Sequence, residues 1–79
     1  MKVNKFEGLS RGLIKVELND KSILITGELT INKFYANISS IEKWEPPFEN
    51  EIITDSQKKE IIKAIEDYSK NGKIPVVFD

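Results

Sequence analysis

The sequence predicts a small α+β fold in which a mainly antiparallel sheet of about four to six strands packs against one amphipathic helix. A length of 79 residues allows one small hydrophobic core. The first half of the chain carries short, alternating, β-branched runs, whereas about residues 55–70 have apolar residues at helical spacing. Because no repeat or linker-like segment interrupts these elements, we expect a single domain over residues 1–79.

Two alternating apolar runs predict a β-hairpin. Residues 13–18 and 22–26 are largely β-branched, and Asn19-Asp20-Lys21 between them has the composition of a tight turn. Gly27 follows the second run without any partner glycines of a phosphate-binding loop. We therefore expect Gly27 to end that strand as a turn or bulge residue.

Four further segments are predicted to lie in strands. Residues 29–31 and 34–38 form a strand or a pair of strands, with Asn32-Lys33 as either a turn or a bulge between them. Residues 3–6 predict an edge strand, and residues 74–78 predict a closing strand at the sheet edge, with Pro75 near its start.

The helix has a clear start signal. Thr54 and Gln57 have the spacing of a capping box, and Asp55 suits the positive end of the helix dipole. Asn71-Gly72 at the other end supplies residues able to adopt a left-handed cap conformation. The apolar stripe expected to face the core comprises Ile61, Ile62, Ile65 and Tyr68.

Composition excludes most catalytic chemistry. The chain has no histidine and no cysteine, which removes disulfides, thiolate or imidazole zinc sites and the usual nucleophile systems. We therefore expect no enzyme activity, no cofactor and no metal site. The amino-terminal residues contain no signal-peptide run, and the chain contains no stretch of about 18 apolar residues. These features predict a soluble, cytoplasmic protein without a membrane partner.

Charge is distributed unevenly along the chain. Residues 34–55 carry one lysine and five acidic residues, whereas the flanking segments carry slightly more basic than acidic residues. Nucleic-acid binding needs a concentrated basic face, so we expect no nucleic-acid partner. An acidic segment favours a basic protein partner, and the alternative is a solvated acidic loop without a partner.

The candidate partner-binding residues surround two adjacent prolines, which display their neighbours at a low cost in conformational entropy. Tryptophan is enriched at binding hot spots, but a lone tryptophan in a small domain more often fills the core, so we expect a structural corner at this position. The acidic spacing does not match a calcium loop or a catalytic carboxylate pair. The candidates are Glu42, Trp44, Glu45, Phe48, Glu49 and Glu51.

The order of these motifs resembles a family of small bacterial immunity proteins from polymorphic and contact-dependent toxin systems. The resemblance covers roughly residues 11–78. It is carried by Gly27-Glu28 after a hairpin, Ile41-x-x-Trp44 followed by Pro46-Pro47, an acidic stretch, a Thr54-capped helix with Ile61-Ile62, and a terminal strand ending in Phe78.

The resemblance implies a cytosolic antitoxin that binds its cognate toxin domain and blocks or distorts the active site, with no catalytic residues of its own. If the toxin is a nuclease, its cleft is basic, and an acidic surface carrying Glu42, Glu45, Glu49 and Glu51 can compete with phosphate for that cleft. The alternative is an interaction module that assembles with itself through an exposed sheet edge. We expect a monomer or a weak homodimer.

Overall fold

A five-stranded sheet and a 16-residue α-helix make up the computed structural model, which describes residues 1–72 and 74–78. The α+β class predicted from sequence is confirmed. Lys73 and Asp79 lie outside the described residues. In chain order the elements are β1 (Val3–Ser10), β2 (Leu13–Leu18), β3 (Lys21–Leu29), β4 (Phe34–Ala36), a 3-10 turn (Ile38–Ser40), α1 (Asp55–Lys70) and β5 (Val76–Phe78).

The strands lie in the sheet in their chain order, from β1 at one edge to β5 at the other. The first four strands pair antiparallel, and β5 pairs parallel with β4. The parallel pair follows from the connection, because a chain that leaves β4, crosses the sheet as a helix and returns must enter the next strand in the same direction. The closing strand was correctly placed at the edge.

The hairpin of β2 and β3 fixes which side chains face the core. Leu18 pairs with Lys21 across a two-residue turn, in which Asn19 takes a left-handed φ of 59°. Side chains along β2 alternate between half-buried and buried. The buried core comprises Val3, Ile14, Val16, Leu18, Ile23, Ile25, Phe34, Ala36, Ile41, Trp44, Ile53, Ile61, Ile65 and Val76. One face of the sheet therefore packs against α1 and the residues 41–53 that precede it.

The prediction that Gly27 ends the second strand was wrong, because β3 continues through Gly27 to Leu29. Gly27 pairs with Ala36 of β4. A Cβ at Gly27 would lie 2.6 Å from a ring carbon of Phe34 and 2.9 Å from the Cα of Ala36, and closer still to the Tyr35 carbonyl oxygen. Glycine is needed here because the neighbouring strand approaches closely.

The segment after β3 is shorter than predicted. Residues 30–33 form a turn, in which the Thr30 amide donates to the Lys33 carbonyl at 2.8 Å, so Asn32-Lys33 belongs to a turn and no separate strand covers residues 29–31. Ile38 lies in the 3-10 turn and not in β4. At the other end of the chain, β1 runs from Val3 to Ser10, which extends the predicted edge strand by four residues.

The capping box predicted for α1 is confirmed. The Gln57 amide donates to the Thr54 hydroxyl oxygen at 3.2 Å, and the Thr54 amide donates to the Gln57 side-chain oxygen at 3.1 Å. The left-handed cap conformation expected at the carboxyl end of α1 does not form, since Asn71 has a φ of −94° and no described glycine has a positive φ. Instead, the buried Ser69 hydroxyl accepts from the Val76 amide at 3.0 Å, which ties the end of α1 to β5.

Removing the cap gives a first prediction. Thr54→Ala should lower the free energy of unfolding by about 1 kcal/mol, because one amide of the first helical turn loses its acceptor. Ser56→Ala is the matched control, since Ser56 is exposed and makes no capping bond. Urea denaturation followed by far-ultraviolet circular dichroism measures both variants. Equal stability of the two would contradict a stabilising role for the cap.

Candidate partner-binding site

Residues 41–53, called the acidic loop from here on, connect the 3-10 turn to the helix cap. Three side chains hold this loop on the core: Ile41 is fully buried, Trp44 is 2% exposed and Ile53 is 7% exposed. Between them the chain passes through four glutamates and one lysine. Buried side chains at the start, middle and end of the acidic loop therefore hold it on the core, and its charged side chains extend from this buried base.

Backbone hydrogen bonds fold the acidic loop and join it to the sheet. The Glu45 amide donates to the Ser22 carbonyl at 2.8 Å, so the loop contacts β3 directly. The Phe48 amide donates to the Glu45 carbonyl and the Glu51 amide donates to the Phe48 carbonyl, both at 3.0 Å. A cis peptide bond joins Pro46 to Pro47, and an isolated antiparallel bridge pairs Lys43 with Ile52. These bonds give the loop two successive turns.

Lys21, the first residue of β3, organises the inner side of the loop. Its ammonium nitrogen forms an ion pair with Glu51. The same nitrogen lies 5.6 Å from the ring centroid of Trp44 and 5.3 Å from that of Phe48. Both distances fall within the range of a cation–π contact. Lys21 thus joins two aromatic rings and a carboxylate that come from a loop 23 to 30 residues further along the chain.

The six residues predicted to bind a partner occupy three different environments. Glu42, Glu49 and Glu51 are exposed, Glu45 and Phe48 are half-buried, and Trp44 is buried. The structure brings Trp44, Phe48 and Glu51 together around Lys21. Glu42, Glu45 and Glu49 form no ion pair with any described residue. The loop therefore presents three carboxylates that no described cation neutralises.

Trp44 supports the loop from inside, as the interpretation of a structural corner predicted. Its indole nitrogen is buried and has no hydrogen-bond acceptor among the described residues. A cavity of about 140 Å³ borders this ring, lined mainly by the β2–β3 turn and by Gln57 of α1. In this conformation Trp44 positions neighbouring side chains and does not itself form the outer surface of the loop.

Ile52 is a surface residue that sequence reasoning missed. Its side chain is 83% exposed, although the next residue, Ile53, belongs to the core. Adjacent side chains in an extended segment point in opposite directions, so the doublet Ile52-Ile53 just before the helix cap already implied that one of them faces outward. An exposed aliphatic side chain beside carboxylates combines an apolar contact with charge, as protein interfaces do.

The acidic loop joins exposed carboxylates and an exposed aliphatic side chain on a buried base. Within residues 1–72 and 74–78, no three acidic side chains come close enough to hold a metal ion. None of the described helices has the length and apolar character required to cross a bilayer. What the loop supplies is a fixed acidic surface with an apolar side chain at its rim.

A protein-family model described as Immunity protein 74 matches residues 5–79 of the chain. The match includes all of the acidic loop, α1 and the strands β2 to β5. Comparison with curated proteins and with solved structures gave no match.

Proposed function

The chain belongs to the Immunity protein 74 family, and from that premise we propose that it binds a cognate toxin domain and neutralises it by covering its active site. The observation that carries the proposal is the acidic loop, whose exposed carboxylates stand on a base fixed by Ile41, Trp44 and Ile53. A preformed surface loses little conformational entropy on binding, so more of the contact energy appears as affinity.

The charge of the acidic loop indicates the kind of partner surface that it would contact. Glu42, Glu45 and Glu49 form no ion pair with a described residue, and Glu51 is paired with Lys21. Such a surface attracts a basic cleft and accelerates association with it. A cleft lined by lysine and arginine is what an enzyme uses to hold a phosphate backbone, so a nuclease domain is the toxin class that we propose.

The contact would have a charged part and an apolar part. The carboxylates align the loop with the basic cleft, and the exposed Ile52 packs against an apolar wall beside it. Lys21, Trp44 and Phe48 contribute indirectly, because their mutual contacts fix the loop's shape. The protein acts by occupying the toxin and needs no catalytic step of its own.

Co-expression tests the function. If the gene beside that of this chain encodes a toxin domain, that domain is the candidate toxin, to be expressed in a sensitive bacterial host with and without this protein. We expect growth to be restored and the two proteins to co-purify. Absence of both rescue and complex would contradict the antitoxin role.

Charge reversal tests the mechanism separately. Glu45→Lys combined with Glu49→Lys should slow association with the toxin by about tenfold or more at low salt and flatten its dependence on salt, because steering charges are lost. Glu28→Lys combined with Glu60→Lys is the matched control: both glutamates are exposed, both lie outside the acidic loop, and the net charge changes by the same four units.

Stopped-flow kinetics over a series of salt concentrations measures both double variants. If the control slows association as much as the loop variant, overall charge matters and the acidic loop does not direct binding. If the loop variant inhibits the toxin with unchanged kinetics, the carboxylates do not occupy a basic cleft, although rescue of growth would still support the antitoxin role.

A further inference from the structure

The register of the sheet determines which backbone groups of β1 are left unpaired at its free edge. Leu18 and Lys21 close a two-residue hairpin, so their backbone groups point at each other, and the alternation of an antiparallel pair makes Val16 and Ile14 point toward β3 as well. Lys15 and Glu17 must then bond to β1. The Asn19 amide, two residues after Glu17, also points toward the β1 side of the sheet, where it donates to the Lys2 carbonyl at 3.0 Å.

This pattern determines which groups of β1 face outward. Glu17 pairs with Lys5 and Lys15 pairs with Glu7, so Lys5 and Glu7 use their backbone groups toward β2. Phe6 lies between these two residues and Gly8 follows Glu7. The N–H and C=O groups of Phe6 and Gly8 therefore point away from the sheet. The register is regular from Lys5 to Gly8, with shifts on either side. The edge therefore offers a short template for another strand.

The side chains of this edge are complementary to themselves. In an antiparallel pair of two β1 strands centred on Phe6, Lys5 of each copy lies opposite Glu7 of the other. The outer face then carries one row that reads Lys15, Glu7, Lys5 of the second copy and Glu17 of the second copy, with the sign of charge alternating at every step. Opposite charges that face each other across strands stabilise a sheet.

The inner face of the same pair is apolar. Ile23 pairs with Val16, and Val16 pairs with Phe6, so the row continues from the core to the edge and meets Phe6 of the second copy. The Phe6 ring stacks on Tyr68 of α1 with centroids 6.0 Å apart, and Tyr68 is still 45% exposed. A second copy would cover both rings, which the single chain leaves half-open to solvent.

From these observations we propose that two copies of this chain pair through β1, antiparallel about a two-fold axis at Phe6, to form one continuous ten-stranded sheet. The interface is small, since only four residues per chain are in regular register. It belongs to the weak, reversible class of contacts. The acidic loop bonds to β3 at Ser22, and β2 separates β3 from the β1 edge, so pairing of two β1 strands leaves each copy its own acidic loop.

Two variants at Gly8 test the backbone pairing. A Cβ at Gly8 would meet no atom within 4 Å, so Gly8→Ala leaves the fold and the edge intact. Gly8→Pro removes the outward N–H and places a ring in the path of a partner strand, while its effect on pairing with β2 is small. Sedimentation equilibrium should give Gly8→Ala the same monomer–dimer midpoint as the parent protein, and Gly8→Pro a midpoint at least about tenfold higher in concentration.

A mixing experiment tests the side-chain pairing. Lys5→Glu and Glu7→Lys should each remain monomeric alone, because like charges then face each other across the axis. An equal mixture of the two should form a heterodimer, in which every facing pair is again opposite in sign. Thermal unfolding of each variant checks that the fold persists, since each substitution also places like charges opposite Glu17 or Lys15 within the chain.

Three results would each contradict pairing through β1. A parent protein that stays monomeric at every concentration, equal behaviour of Gly8→Pro and Gly8→Ala, or a mixture that remains monomeric would each overturn the proposal. In those cases Lys5 and the flanking register shifts serve only to protect an edge strand from association.

Discussion

Replacing Trp44 with alanine should lower the free energy of unfolding by about 3–5 kcal/mol. Trp44 is 2% exposed and belongs to the single core cluster that the described residues form, so its removal leaves a large cavity beneath the acidic loop. A chain of 79 residues has a total stability of only about 4–12 kcal/mol, so this loss is a large share of it. Urea denaturation followed by circular dichroism measures the change.

Trp44→Phe is the matched control. It keeps an aromatic ring in place and removes the indole N–H, which has no acceptor among the described residues. A buried donor left unpaired costs about 1–3 kcal/mol, so losing it offsets part of the lost packing. We expect Trp44→Phe to remain within about 1 kcal/mol of the parent. A small loss for Trp44→Ala, similar to that of the control, would contradict the role of this ring as the anchor of the loop.

Gly27→Ala is expected to have the second largest effect, a loss of about 3 kcal/mol at the upper end of the cost of overpacking. The added methyl group would collide with the backbone of Tyr35 and Ala36 and with the Phe34 ring. Backbone atoms of a paired strand cannot rotate away as a flexible side chain can, so β3 and β4 must separate. Among the described strands β5 pairs with β4 alone, so the strain extends to the closing strand.

Gly8→Ala is the control for the loss of a glycine as such. Both positions lie in strands, but the Cβ added at Gly8 has open space. Replacement of a strand glycine without a clash should be neutral or slightly stabilising, because the unfolded chain loses freedom. The melting temperature of Gly27→Ala should therefore fall, whereas that of Gly8→Ala should rise slightly or stay unchanged. Equal melting temperatures would show that β4 can move aside at little cost.

Sequence reasoning succeeded where the determining contacts are local. The hairpin turn was predicted over Asn19-Asp20-Lys21 and is formed by Asn19 and Asp20, with Lys21 already in β3. This turn and the capping box of Thr54 with Gln57 each depend on residues within four positions of one another. The helix of residues 55–70 was predicted with its observed ends for the same reason. Burial of Trp44 also followed from the small size of the core, since one large ring fills much of it.

The errors arise where a distant segment decides the local structure. Gly27 looks like a strand breaker by propensity, but the close approach of β4 makes it a strand residue. The length of β1 depends on its pairing with β2, which no pattern within residues 3–10 records. For the candidate site, the sequence indicated the acidic side chains, whereas the contact of Lys21 with Glu51 joins residues 30 positions apart and required the fold.

None of the residues paired in the five strands comes from the acidic loop, which lies within the crossover between β4 and β5. Lengthening such a connection changes the entropy of chain closure by only about 0.6 kcal/mol for each doubling. The segment between Trp44 and Ile53 can therefore gain, lose or exchange residues while the scaffold keeps its register. If the acidic loop forms the proposed contact with the toxin, such an architecture lets new specificities evolve, or be grafted, without redesign of the sheet.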